Sequence, residues 1–132
     1  MLQRRFGLLF LVPLFLLSVR ANAFADCRAK INLNVGPAGL GLDVSGTAEK
    51  RTQGTQQRFK VSMDAGVPNG TTFSVYVGGN PAGTITISLG AGELDLNNNN
   101  GATLPTGVDP VCNIGRVEVR NGTGGVVLSG NF

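Results

Sequence analysis

Histidine is absent from the 132 residues. This removes the usual general base near neutral pH, the partner of a serine or cysteine nucleophile, and the commonest zinc or copper ligand. Carboxylates and thiols remain. Glu93 and Asp95 stand two apart in an alternating segment and so share a face, the simplest arrangement for a carboxylate acid/base pair. A chain of this length builds no deep cleft around such a pair, and two carboxylates on one strand face read as a solvated surface. Calcium needs only oxygen ligands. Asp95, Asn97 and Asn99 occupy alternate positions, with Asp109 further along. The helix-loop-helix calcium loop wants Gly at its sixth position and Glu at its twelfth, where this chain has Asn100 and Thr106. The four residues are therefore a candidate for a looser site at a sheet edge, set against the plainer reading of a polar loop between strands. No cofactor motif accompanies them, and the expectation is a protein that is not an enzyme and carries no cofactor.

Thiol chemistry depends on compartment, and the first 25 residues address that. Arg4 and Arg5 precede the apolar run Phe6–Leu17, and small-x-small sites follow at Ala21-Asn22-Ala23 and Ala23-Phe24-Ala25. This is the layout of a secretory signal peptide cleaved after Ala23 or Ala25. The apolar run falls short of the roughly 20 residues that span a bilayer, so no transmembrane segment is expected after processing, and residues 26–132 form a single domain. The expected location is secreted or periplasmic. There Cys27 and Cys112, the only two cysteines, meet conditions in which disulfides persist. A bond between them closes a loop of about 85 residues, for which the chain-entropy model gives on the order of 4–5 kcal/mol. The competing fate is lipidation of Cys27, which the charged Asp26 before it disfavours.

Removal of the leader also changes the charge. Arg4, Arg5 and Arg20 carry the whole excess of eleven basic over eight acidic residues. The remaining basic residues, among them Arg58 and Lys60 at alternate positions, are dispersed along the sequence as on a solvated face. With that balance no nucleic acid partner is expected.

The elements that position these groups are strands and turns. Ala29–Val35, Leu40–Ala48, Phe59–Met63, Phe73–Val77, Ile85–Leu89, Leu94–Leu96, Val111–Arg120 and Val126–Phe132 alternate apolar with polar residues. Pro68-Asn69-Gly70-Thr71 and Asn121-Gly122 read as hairpin turns. About eight short strands with Gly, Pro and Asn turns predict an all-β fold: a single disulfide-stapled antiparallel β-sandwich, immunoglobulin-like or jelly-roll-like. The disulfide requires the first and penultimate strands to run parallel side by side or to face each other across the core. The immunoglobulin-like form, with a parallel first-to-late-strand closure, is the preferred topology.

Aromatic recognition has little material: there is no Trp, and the single Tyr76 alternates with Val75 and Val77 and so faces outward. Phe59, Phe73 and Phe132 occupy apolar strand positions and are expected in the core. Asn69-Gly70-Thr71 and Asn121-Gly122-Thr123 match the N-glycosylation acceptor, but turn chemistry already accounts for both. Ile85–Leu89 and Val126–Phe132 are β-prone and uncharged, so as exposed edges they would template pairing. The run Val75-x-Val77 … Ala82-Gly83-Thr84-Ile85-Thr86-Ile87 … Gly90-Ala91-Gly92-Glu93-Leu94-Asp95-Leu96 … Pro105 is similar to small exported bacterial β proteins, over roughly residues 59–132. That resemblance implies fold and compartment and supplies no active site. The functional expectation is an exported, non-catalytic sandwich acting by surface contact, as a structural, adhesive, matrix or envelope component. Its partner would be a protein, a cell surface or matrix, or a second copy through edge strands. The alternative is a calcium- or glycan-binding accessory module.

Overall fold

Alternation decides which side of each strand is buried. Phe59, Val61, Met63 and Ala65 are buried along one strand, while Arg58, Lys60, Ser62 and Asp64 between them point outward. The structure, a computed structural model, describes residues 26–132; the expected leader and its expected cleavage positions Ala23 and Ala25 lie outside the described residues. Nine strands are present: β1 Arg28–Asn32, β2 Asn34–Val35, β3 Val44–Gln53, β4 Gln56–Ala65, β5 Thr72–Val77, β6 Asn80–Thr86, β7 Ala91–Asn97, β8 Arg116–Arg120 and β9 Val126–Asn131. They form a four-stranded sheet in the order β1-β3-β4-β7 and a five-stranded sheet in the order β2-β9-β8-β5-β6. The core between them is built from the alternate apolar residues of both sheets, including fully buried Phe59, Val61, Val75, Ile85, Val117, Val119 and Leu128. Each such side chain contributes about 1.5–3 kcal/mol by leaving water.

The antiparallel sandwich is as the sequence predicts, but its connections differ in ways that have local causes. Every pairing among the described residues is antiparallel, so the parallel closure expected of an immunoglobulin-like topology is not formed. Cys27 and Cys112 instead join the two layers, with Cα atoms 5.8 Å apart. Cys27 precedes β1 in one sheet, and Cys112 lies in a 3-10 turn, Val111–Asn113, ahead of β8 in the other. That turn replaces the first part of the strand expected from Val111.

The segment Ala29–Val35 is two strands: the alternation holds through buried Leu33, and it breaks at Val35, which is exposed. Leu33 is the point of passage. Its N–H bonds the Gly46 carbonyl in one sheet, and Asn34–Val35 then pair with β9 in the other. Leu40 does not open a strand either: Pro37–Gly39 form a 3-10 turn, Leu40 is 74% exposed, and pairing begins at Val44. The turn at Asn69-Gly70 is not a hairpin. β4 already has β3 and β7 as neighbours, so the chain passes to the other sheet, where β5 pairs with β6 and β8. Tight two-residue hairpins lie instead at Gly54-Thr55 between β3 and β4 and at Gly78-Gly79 between β5 and β6, the latter with φ of 58° and 86°. Two consecutive positive φ values define the turn that matches strand twist, and glycine adopts them without strain. β9, which would template pairing if it were an exposed edge, lies between β8 and β2.

Candidate contact surface

In an antiparallel sheet, residues in register share a face, so the pairing of β1, β3, β4 and β7 sorts their outward side chains into rows. The row farthest from the β6–β7 crossing is Arg28, Arg51, Arg58, Asn97. Next comes Lys30, Glu49, Lys60, Asp95, and then Asn32, Thr47, Ser62, Glu93. A last partial row holds Ser45, Asp64 and Ala91. Five basic residues that are scattered in sequence thus collect at one end of a single face, with Asp64 and Glu93 at the other end. Sequence reading left these cations dispersed, because row membership depends on which strands pair.

Three arginines in line are a repulsive arrangement. Only Arg58 of the three is relieved by an ion pair among the described residues: its Nε donates to Asp95 Oδ1 at 2.9 Å and its Nη2 to Oδ2. The hydrogen bond from Arg58 holds the Asp95 carboxyl below its ordinary range, against the opposing effect of partial burial. Asp95 is therefore a firmly ionised partner of Arg58. Glu118 on the other sheet is similar, held low first by Arg120 and then by Arg116. Arg120 also covers Tyr76, its guanidinium 3.8 Å from the ring centre, so this ring is half-buried under a cation.

Three of the four calcium candidates, Asp95, Asn97 and Asn99, line one hollow at the arginine end of the face, where Asp95 is already held by Arg58. Asp109 is not part of that lining and accepts from Gln57 Nε2 at 3.0 Å. Gln57 and Arg58 are successive residues and point to opposite faces of the strand. Asn97 Oδ1 accepts the N–H of Asn99 at 3.1 Å, a local turn bond. Asn98, not singled out from sequence, fastens this loop: its Oδ1 accepts the Gln57 N–H at 2.8 Å and its Nδ2 donates to the Thr55 carbonyl. Among the described residues no group of three or more His, Cys, Asp or Glu side chains is placed to hold a metal ion. Glu93, the other member of the carboxylate pair, is exposed on β7. Of the acceptor asparagines, Asn121 serves its own turn, its Oδ1 accepting from Thr123 and Gly125 N–H, whereas Asn69 Oδ1 accepts from Leu89 N–H in the turn between β6 and β7.

Two hollows mark the face. A shallow one of about 530 Å³ crosses the sheet at its row of small side chains, bordered by Asn32, Thr47, Ser62, Asp64 and Glu93. A second, of about 260 Å³, lies over the arginine end, with Arg51, Arg58, Asp95, Asn97 and Asn99 in its lining. The first mixes polar side chains with Leu33 and Met63, and the second is lined by polar and charged residues.

Behind the arginine end sits one cation that sequence reading placed with the exposed ones. Lys50 is on the inward side of β3, 8% exposed. Its Nζ donates to the carbonyls of Cys112 at 3.0 Å and Ile114 at 2.8 Å, and lies 4.6 Å from the centre of the Phe132 ring. Burial pushes its pKa down. The ammonium caps the 3-10 turn that carries Cys112, so it works with the disulfide in fastening the two layers. Its position at alternate spacing with Ala48 was the available signal. Comparison with protein-family models, curated proteins and solved structures finds no match. Among the described residues, no helix is long and apolar enough to cross a membrane.

Proposed function

We propose that this is an exported, non-catalytic β-sandwich that acts by contact through the outer face of its four-stranded sheet, as a structural, adhesive, matrix or envelope component. The observation that carries this reading is the sorting of charge on that face: Arg28, Arg51 and Arg58 in one row, with Asp64 and Glu93 at the opposite end. Such a row costs the isolated molecule self-repulsion, and an anionic or hydrogen-bonding partner relieves it. The leader-like N-terminus and the disulfide support export. The ionised, arginine-bound state of Asp95 suits recognition better than proton transfer.

The test is retention of the disulfide-bonded protein on cell-envelope and extracellular-matrix preparations across a range of salt. Retention that weakens with salt, and falls at least tenfold in an Arg28→Gln/Arg51→Gln variant, is the expected result. Absence of retention on every preparation contradicts it. A second reading, glycan binding, draws on the open hollow that sets Asn32, Thr47, Ser62, Asp64 and Glu93 around an apolar floor of Leu33 and Met63. It predicts that Ser62→Trp, which fills the hollow, abolishes retention while leaving the arginine row intact.

A further inference from the structure

The four-stranded sheet has two edges, and their backbone groups can be assigned. Thr52 N–H bonds the Cys27 carbonyl, and Leu33 N–H bonds the Gly46 carbonyl. In the antiparallel pattern, Ala29 and Ile31 therefore exchange hydrogen bonds with β3, while Arg28, Lys30 and Asn32 turn their N–H and C=O groups away from it. On the other side, Asn98 N–H bonds Gln57 and Ala65 N–H bonds Gly90. By the same rule Gly92, Leu94 and Leu96 face β4, and Glu93, Asp95 and Asn97 direct their backbone groups outward. Ala91, next in that series, is already occupied by a bridge to Ser88. Each edge thus offers three residues with free backbone groups, and their side chains all lie on the outer face.

The two edges are complementary. β1 presents Arg28 and Lys30, and β7 presents Glu93 and Asp95. Charged edges normally keep sheets apart. Here the signs make β1 against β1 and β7 against β7 repulsive and β7 against β1 attractive, which selects one arrangement. Strand direction agrees. With four antiparallel strands, a copy displaced sideways brings its β1 beside β7 in the antiparallel sense. The five-stranded sheet would meet its copy in parallel, through a two-residue edge strand on one side and one bearing Pro81 on the other.

We infer that a second copy of this chain is a partner of the four-stranded sheet: β7 of one molecule adds to β1 of the next, giving an open chain of molecules with a continuous sheet. Asp95 stands opposite Lys30 of the neighbour, Glu93 opposite Asn32 and Asn97 opposite Arg28. Each is a hydrogen-bonded pair, and Ala91 is left with Ser88. The row Lys30, Glu49, Lys60, Asp95 alternates in sign, and the alternation runs on unbroken into the neighbour's Lys30. Asp95 then lies between Arg58 and a lysine, as Glu49 lies between Lys30 and Lys60. A head-to-tail contact of this kind does not close on itself and yields filaments. This inference rests on the surface-contact reading and names one partner for the same face.

The experiment is sedimentation velocity with electron microscopy on the purified, disulfide-intact protein across concentration and salt. The native protein is expected to grow in mass with concentration, to form linear chains, and to shorten in high salt. Lys30→Pro and Glu93→Pro each remove an outward N–H and obstruct one edge without breaking a hydrogen bond to β3 or β4. Each variant alone is expected to be monomeric, and an equal mixture is expected to give discrete dimers, since each keeps the edge the other lacks. Lys30→Glu and Glu93→Lys, which leave the backbone untouched, should each weaken association at least tenfold. A native protein that stays monomeric at every concentration overturns the inference, as do charge variants that assemble as well as the native chain. A monomer that is still retained on envelope or matrix material would overturn this inference alone; a monomer retained on nothing would remove the surface-contact reading as well.

Discussion

A single ammonium shows how an ionisable group is held in this core. Lys50 has lost most of its water and received two carbonyl oxygens and an aromatic face in return. Hydrogen bonds to a charged donor contribute about 1.5–3 kcal/mol each, and desolvation offsets much of that. Because burial lowers its pKa, the unfolded chain holds more protons in the interval between the folded and unfolded values. Stability therefore rises with pH across that interval and is lost as pH falls through the folded value. Lys50→Met keeps the stem and removes the donor, leaving the Cys112 and Ile114 carbonyls without it. Denaturant unfolding is expected to show a loss of about 1–3 kcal/mol at neutral pH, and the alkaline rise in stability should disappear. An unchanged midpoint with the alkaline rise intact would mean that this lysine fastens nothing.

At the scale of elements, strand existence could be read from alternation, while the sheet each strand joins could not. β4, β5 and β8 carry period-2 patterns that differ little, and nothing in them says that β4 and β5 belong to different layers. The Asn69-Gly70 turn has the right residues for a hairpin, yet the neighbours of β4 were already taken, and that competition is a property of the whole sheet. The disulfide was readable, because two cysteines leave one intramolecular choice once the chain's start is read as a secretory leader. The arginine row was not, since Arg28, Arg51 and Arg58 meet only through register. The β6–β7 crossing shows how close the layers come: a Cβ on Gly92 would lie 2.6 Å from the Thr86 carbonyl oxygen and 2.7 Å from Ile85 Cγ2. Gly92→Ala is expected to lower stability by about 1–3 kcal/mol through forced backbone movement, seen as a lower melting temperature, whereas Gly122→Ala meets no such contact and sits at no positive φ.

For the molecule as a whole, the two layers have different tasks. The five-stranded sheet closes the core, with one edge short and the other interrupted by Pro81. The four-stranded sheet carries the charge-sorted face and the two free edges, and the disulfide with Lys50 fixes its arginine end to the layer behind. Contact through this sheet is the central claim, and amide hydrogen exchange tests it most directly. The protein is compared dilute and alone, then at high concentration and on envelope or matrix material. The account predicts that the outward amides of Arg28, Lys30, Asn32, Glu93, Asp95 and Asn97 exchange fast in the dilute protein and become protected on association. Protection confined to β2, β6 or the exposed Leu40 and Leu89, with these six amides unchanged, would contradict it.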